Sequence, residues 1–116
     1  MKLKITIGDN SVEAIIDDNV TAKDFISMLP LTLILDDFAG TEKISYLSRK
    51  LTTQGTPSGC DPDVGDITYY APWGNLAIFY KDYGYASGLV KLGKIEEDIS
   101  LFDTNQKLTA TFELFE

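Results

Sequence analysis

The chain has 116 residues, 44% hydrophobic and 11% aromatic, which is enough apolar material for one domain with a sizeable core. A formal net charge of −8, from 18 acidic against 10 basic residues, opposes the phosphate attraction on which nucleic-acid binding rests and excludes nucleic acid and anionic membranes as expected partners. Histidine is absent, which removes the commonest general base, the Ser-His and Cys-His nucleophile pairs and the usual zinc ligand set.

In chain order, Leu3, Ile5 and Ile7 alternate with Lys2, Lys4 and Thr6, the pattern of a half-buried strand. Gly8-Asp9-Asn10 turns the chain, and Val12, Ala14 and Ile16 repeat the alternation, predicting a hairpin. In NVTAKDFISMLP, Phe25, Ile26 and Leu29 have helical spacing; Thr21, three residues before Asp24, reads as a capping box, and Pro30 closes the helix. Asn19-Val20-Thr21 is also a glycosylation sequon, but helix capping is the reading preferred for a chain without a secretory signal at its start.

Period two returns at Leu31, Leu33 and Leu35 and continues, after Gly40, through EKISYL. Residues 52–65 are rich in Gly, Pro, Ser, Thr and Asp and predict a long irregular loop. Three strands follow, in GDITYYA, NLAIFYKD and GLVKLGKI, separated by turns at Pro72-Trp73-Gly74 and between Asp82 and Gly88. EEDISLFDT predicts one helical turn, and LTATFELFE a last strand with Leu108, Ala110, Phe112 and Leu114 inward. About eight strands and a helix, without the strand and helix alternation of a parallel sheet, imply a mainly β fold. The expected architecture is a closed or nearly closed antiparallel eight-stranded barrel with one or two short helices, spanning residues 1–116 as a single domain.

The segment YYAPWGNLAIFY, residues 69–80, is apolar on both faces of its strands, so one face fills the barrel and the other packs under the helix or lines an external groove. Trp73, at a turn between Pro72 and Gly74, is the hardest of its aromatics to bury and the first candidate for a contact residue.

This run, GDITYYAPWGNLAIFYKDYGYASGLVKLGKIE, together with DFAGTEKISYLSRKL upstream, resembles the bacterial cyclophilin-like domain family, small barrels related in fold to the peptidyl-prolyl isomerases called cyclophilins. The resemblance implies an eight-stranded barrel with helical caps; the molecular role of these proteins is largely unassigned. The true cyclophilins' site features, an arginine followed shortly by a phenylalanine and a QGGD-type segment, do not carry over. Glu42 and Lys43 stand in the arginine's neighbourhood, and no QGGD follows. A cyclophilin-type isomerase needs a placed cation to stabilise the twisting prolyl amide, so its loss counts against catalysis.

Other motifs carry less. Asp61, Asp63 and Asp66 sit in a Gly-containing loop, but Pro72 occupies the position where a calcium-binding EF-hand needs Glu, so a solvated turn is expected. Asp36 and Asp37 face opposite ways on a strand, as do Glu42 and Lys43. Cys60, the only cysteine, can form no intrachain disulfide, which fits a reducing, cytoplasmic setting, and the acidic residues beside it disfavour the thiolate.

The expected function is a noncatalytic binding module that recognises a peptide segment or small apolar ligand in an aromatic groove bordered by Trp73, Tyr70, Phe79, Tyr83, Arg49 and Glu42. The alternative is a weak peptidyl-prolyl cis-trans isomerase using the same groove. No catalytic residue, metal site or cofactor is expected.

Overall fold

The computed structural model describes residues 1–115. Strands β1 (Lys2–Ile7) and β2 (Asn10–Ile16) form the expected hairpin, with Leu3 opposite Ala14 and Ile5 opposite Val12, all four buried. Helix α1 (Val20–Ile26) follows, and its cap differs from the one expected. Asn19, in extended conformation, accepts the Ala22 N–H at 2.8 Å, whereas Thr21 lies inside the helix and donates its hydroxyl to the Thr52 carbonyl at 2.7 Å. Only a residue with non-helical backbone can turn its side chain back onto the free N–H groups, and that residue is Asn19.

Strands β3 (Leu31–Phe38) and β4 (Glu42–Tyr46) form a second hairpin. Within the following loop lies a two-residue strand, β5 (Gly59–Cys60). Then come β6 (Asp66–Tyr70), β7 (Asn75–Phe79), a two-residue β8 (Ala86–Ser87), β9 (Leu89–Ile95), a 3-10 turn over Ile99–Phe102, and β10 (Leu108–Leu114). The eight longer strands close into a barrel in the order β1-β10-β3-β4-β7-β6-β9-β2, every neighbouring pair antiparallel. Closure leaves none of these strands as an open edge.

The barrel is filled from its wall and stoppered at both ends. Leu3, Ile5, Leu35, Ile67, Tyr69, Leu76, Ile78, Leu92, Ala110 and Phe112 point inward and are buried. At the end where Phe112 lies, α1 inserts Ala22 and Phe25, with Phe25 edge-on to Phe112 at 6.0 Å between ring centres. Phe102 of the 3-10 turn, just before β10, joins the same core.

On one side the wall is buried on its outer face as well. Ile44, Ala77, Phe79 and Leu89 form a separate cluster outside the barrel, with Cys60, Tyr70 and Ala86 packed against it. The cover is the two-stranded flap in which β5 pairs with β8, Gly59 opposite Ser87. Burial on both faces is why the 69–80 segment carries apolar residues at odd and even positions alike. Among the described residues, no helix is long and apolar enough to cross a membrane.

Candidate functional site

The β3–β4 turn decides what faces outward at the head of the flap-covered wall. Ala39 and Gly40 both have positive φ, 57° and 65°, and the Thr41 N–H returns to the Phe38 carbonyl at 3.1 Å, so a tight turn followed by one extra residue, Thr41, joins the strands. The turn sets Phe38 opposite Glu42, and β4 in turn sets Glu42 opposite Phe79. A one-residue slip would exchange Glu42 for Lys43 on this face. In the register formed, the Glu42 carboxylate points outward between two phenylalanines on the neighbouring strands and is only 9% exposed. Among the described residues none donates a hydrogen bond to it and no cation pairs with it; burial alone pushes its pKa up from 4.5 to about 7.

Glu42 lies in a groove of about 410 Å³ on the barrel's outer wall. Its floor is Ile44, Phe79 and Leu89, and its walls are aromatic. Trp73 comes from the β6–β7 turn, where Gly74 takes a φ of 70° and its N–H returns to the Tyr70 carbonyl at 2.9 Å. The indole is 51% exposed and stands edge-on both to Tyr70, at 5.4 Å and 78°, and to Phe38, at 5.9 Å and 81°. Tyr83 tilts against Phe79 at 5.7 Å. Tyr85 closes the flap side; a side chain at Gly59 would collide with its hydroxyl and with the Ala86 carbonyl, so the close approach of β5 to this tyrosine requires glycine.

At the other end of the groove, four residues along β7 from Phe79 and therefore roughly 13 Å from it, lies Asn75. Its Nδ2 donates to the Leu76 carbonyl at 3.1 Å, and its Oδ1 is buried with no hydrogen-bond partner. No lysine or arginine lines the groove among the described residues.

Of the six residues singled out from the sequence, the fold brings Trp73, Tyr70, Phe79, Tyr83 and Glu42 around this one groove. Arg49 is not among them. It lies after β4 with its guanidinium on helix α1, Nη2 at 2.8 Å and Nη1 at 3.1 Å from the two Asp24 oxygens and Nη2 at 2.9 Å from the Ser27 hydroxyl. These bonds, with the Thr52 N–H, hold the Asp24 carboxyl below its usual range. Phe38, Asn75 and Tyr85 line the groove without having been singled out. Tyr85 had a signal, the repeated tyrosine in Tyr83-Gly84-Tyr85, whereas Phe38 and Asn75 read as a strand end and a turn residue.

The inward side of the same wall holds a closed polar network. Lys43 is fully buried; its Nζ donates to the carbonyls of Thr104 at 2.5 Å and Gln106 at 2.6 Å, lies 3.4 Å from Asp37 Oδ1, and sits 5.9 Å from the Tyr80 ring centre. Tyr80 donates its hydroxyl to Asp37. Burial, and then the Asp37 carboxylate, push the Tyr80 pKa up to about 12. Burial would raise Asp37 too, but the Tyr80 hydroxyl, the Gly40 N–H and the Lys43 charge outweigh it and hold Asp37 below the ordinary carboxylate range.

A second groove, also about 410 Å³, runs between the 54–60 loop and Asp17, Asn19 and Lys91. Cys60 lines it, with a thiol pushed up first by burial and then by Asp66, so the thiolate is disfavoured there. Asp66 departs from the solvated turn expected: it is buried, accepts the Asp63 N–H at 2.9 Å and faces Lys91 at 3.7 Å. Among the described residues, no three acidic or sulfur side chains gather in a way that could hold a metal ion.

A model of the Cyclophilin-like family matches residues 5–113. The chain is also similar in structure to the hypothetical protein AF2241 from Archaeoglobus fulgidus, known from a solution structure. The TM-score is 0.72 at 17% identity, covering 97% of this chain and 93% of that one, a likeness of fold that extends to an archaeal protein. No curated protein matches the chain.

Proposed function

Because the chain belongs to the cyclophilin-like family, whose fold alone conveys no activity, we propose from its site that it is a noncatalytic binding module taking a peptide segment or small apolar ligand in the outer groove. The observation that carries this reading is the half-exposed Trp73, held between Tyr70 and Phe38 over an apolar floor with a buried, unpartnered carboxyl at one end. Concave aromatic surface with a few polar anchors suffices for binding. Prolyl isomerisation asks for more, a cation placed at the twisting amide. In this groove Glu42 lies close to the β3–β4 turn and the nearest residue in sequence with a cation, Lys43, faces the other side of the wall.

Trp73 is the only tryptophan, so its emission reports the groove directly. The protein titrated with a library of short apolar peptides and small apolar molecules is expected to show saturable shifts with some members. Calorimetry on Trp73→Ala should then find those members bound at least about tenfold more weakly, in line with the loss of a hot-spot aromatic. Proline-containing peptides should isomerise no faster with the protein than without it. An indole unmoved across the library would overturn the reading, and so would catalysis abolished by Trp73→Ala.

A further inference from the structure

The groove pairs aromatic walls with a single buried acid, and that combination has a chemical meaning beyond apolar binding. A ring presents negative charge on its face, and several rings set at right angles form a corner that a cation can enter. Trp73 stands at 78° to Tyr70 and at 81° to Phe38, so adjacent rings meet as walls and not as a stack. Within the same groove, Glu42 is 9% exposed and has neither hydrogen-bond donor nor counter-charge among the described residues. No lysine or arginine among the described residues lines the groove to neutralise this carboxylate, and the chain's net charge of −8 favours the approach of cations.

We propose that the groove recognises an organic ammonium group, its positive charge set against Glu42 and its alkyl substituents against the rings of Trp73, Tyr70 and Phe38. This rests on the reading of the groove as a binding site and names the chemistry of what enters it. The cation supplies the counter-charge that Glu42 lacks, and the rings accept its methyl groups without the desolvation cost that a compact, strongly hydrated ion would carry.

The carboxyl gives the proposal a signature in pH. The other titratable groups lining the groove are the hydroxyls of Tyr70, Tyr83 and Tyr85. On β3, Asp36 is engaged by Lys107 at 3.4 Å and Asp37 faces inward with Lys43; on the β7–β8 loop, Lys81 is engaged by Asp103 at 3.3 Å and Asp82 is exposed. Glu42 titrates at about 7, and a permanent cation binds its ionised form, so affinity rises with pH through that value and levels above it. Between pH 6 and pH 8 the ionised fraction, and with it the affinity, increases about tenfold.

The test uses choline, a permanent cation, and 3,3-dimethylbutan-1-ol, its uncharged isostere, each titrated against the intact protein by Trp73 emission and calorimetry at pH 6 and pH 8. At pH 8 choline is expected to bind at least tenfold more tightly than the alcohol, and only choline should gain the tenfold from pH 6. Glu42→Gln, which keeps the shape of the side chain, should remove the pH dependence and weaken choline about tenfold while leaving the alcohol unchanged. Trp73→Ala, at an exposed position, should weaken both. A short peptide carrying trimethyllysine, set beside the same peptide with norleucine, shows whether a peptide or a free small molecule brings the charge. Equal binding of choline and alcohol, or affinity that falls as pH rises because a protonated Glu42 donates to a carbonyl, overturns the ammonium proposal and leaves the groove a binding site. If apolar peptides bind but neither cation does, the result is the same; if nothing moves the indole, both readings fall.

Discussion

Glu42 and Lys43 are consecutive, both buried and both ionisable, and the wall of the barrel passes between them. On the inner side, Lys43 has two carbonyls, the Asp37 carboxylate and the Tyr80 ring. On the outer side, Glu42 has two phenylalanine neighbours across the strands and no partner among the described residues. A buried charge with its full set of partners is structural, since each polar atom recovers inside the protein what it lost on leaving water. A buried carboxyl without partners costs stability and is tolerated where an incoming group can satisfy it. The same strand therefore serves the fold with one face and a site with the other.

The largest test of that contrast is on the inner side. Lys43→Ala strips Asp37 of its cation and frees two part-buried carbonyls, and is expected to cost about 3 kcal/mol, the lower end of the range for breaking a buried pair by removing one member. The midpoint of urea unfolding reads it. Asp37→Asn added to Lys43→Ala should cost less than the two single changes summed, because each already removes their mutual interaction. A loss below about 1 kcal/mol would place the network with exposed ion pairs and erase the distinction.

On the outer side the effect should be smaller and opposite in sign. The folded Glu42 titrates at about 7 against 4.5 for an ordinary glutamate, so folding takes up a proton between those values and stability is lost as pH rises through that window. Glu42→Gln has nothing to titrate. It is expected to match the wild type near pH 4 and to exceed it at pH 8 by on the order of 2 kcal/mol, a figure discounted for water at the groove's open side. Asp37 and Asp24 run the other way: their depressed pKa values contribute stability that is lost as pH falls below the ordinary 3.8. Denaturation curves across pH should therefore show wild-type stability falling on both sides of a maximum, and Glu42→Gln should lose only the alkaline slope.

What the sequence made legible follows the same division. The hairpin of β1 and β2 and the last strand β10 alternate because much of their other face meets water, so period two assigns their inward residues except at the end of β10, where Leu114, expected inward, lies at the strand's last position and is 46% exposed. In β6 and β7 both faces are buried, and alternation still separates Tyr69 and Leu76 from Tyr70 and Phe79 without saying which set fills the barrel. The helix was legible but its cap was not, since Asn19 and Thr21 have equivalent chemistry and the deciding partner of Thr21 is Thr52, 31 residues away. Tyr85 owes its place to the pairing of Gly59 with Ser87, and Glu42 owes its burial to Phe38 and Phe79, neighbours that no local pattern joins. Aromatic density thus located the groove, while its unpaired carboxyl emerged only from the register of three strands.

Arg49 gives the smallest expected effect and the cleanest boundary to the site. As the sole arginine it was the natural candidate for an anchor, yet its guanidinium lies on Asp24 and Ser27, away from the groove-lining residues. An exposed pair of this kind ties the loop after β4 to α1 in a water-screened setting. Arg49→Ala should therefore shift the urea midpoint less than either change on β4. Much of that shift should vanish in 1 M salt, where screening acts over roughly 3 Å. Binding of choline and of apolar peptides should be indistinguishable from that of the wild type; a loss as large as that of Trp73→Ala would mean that the loop, and not only the barrel wall, contributes to the groove.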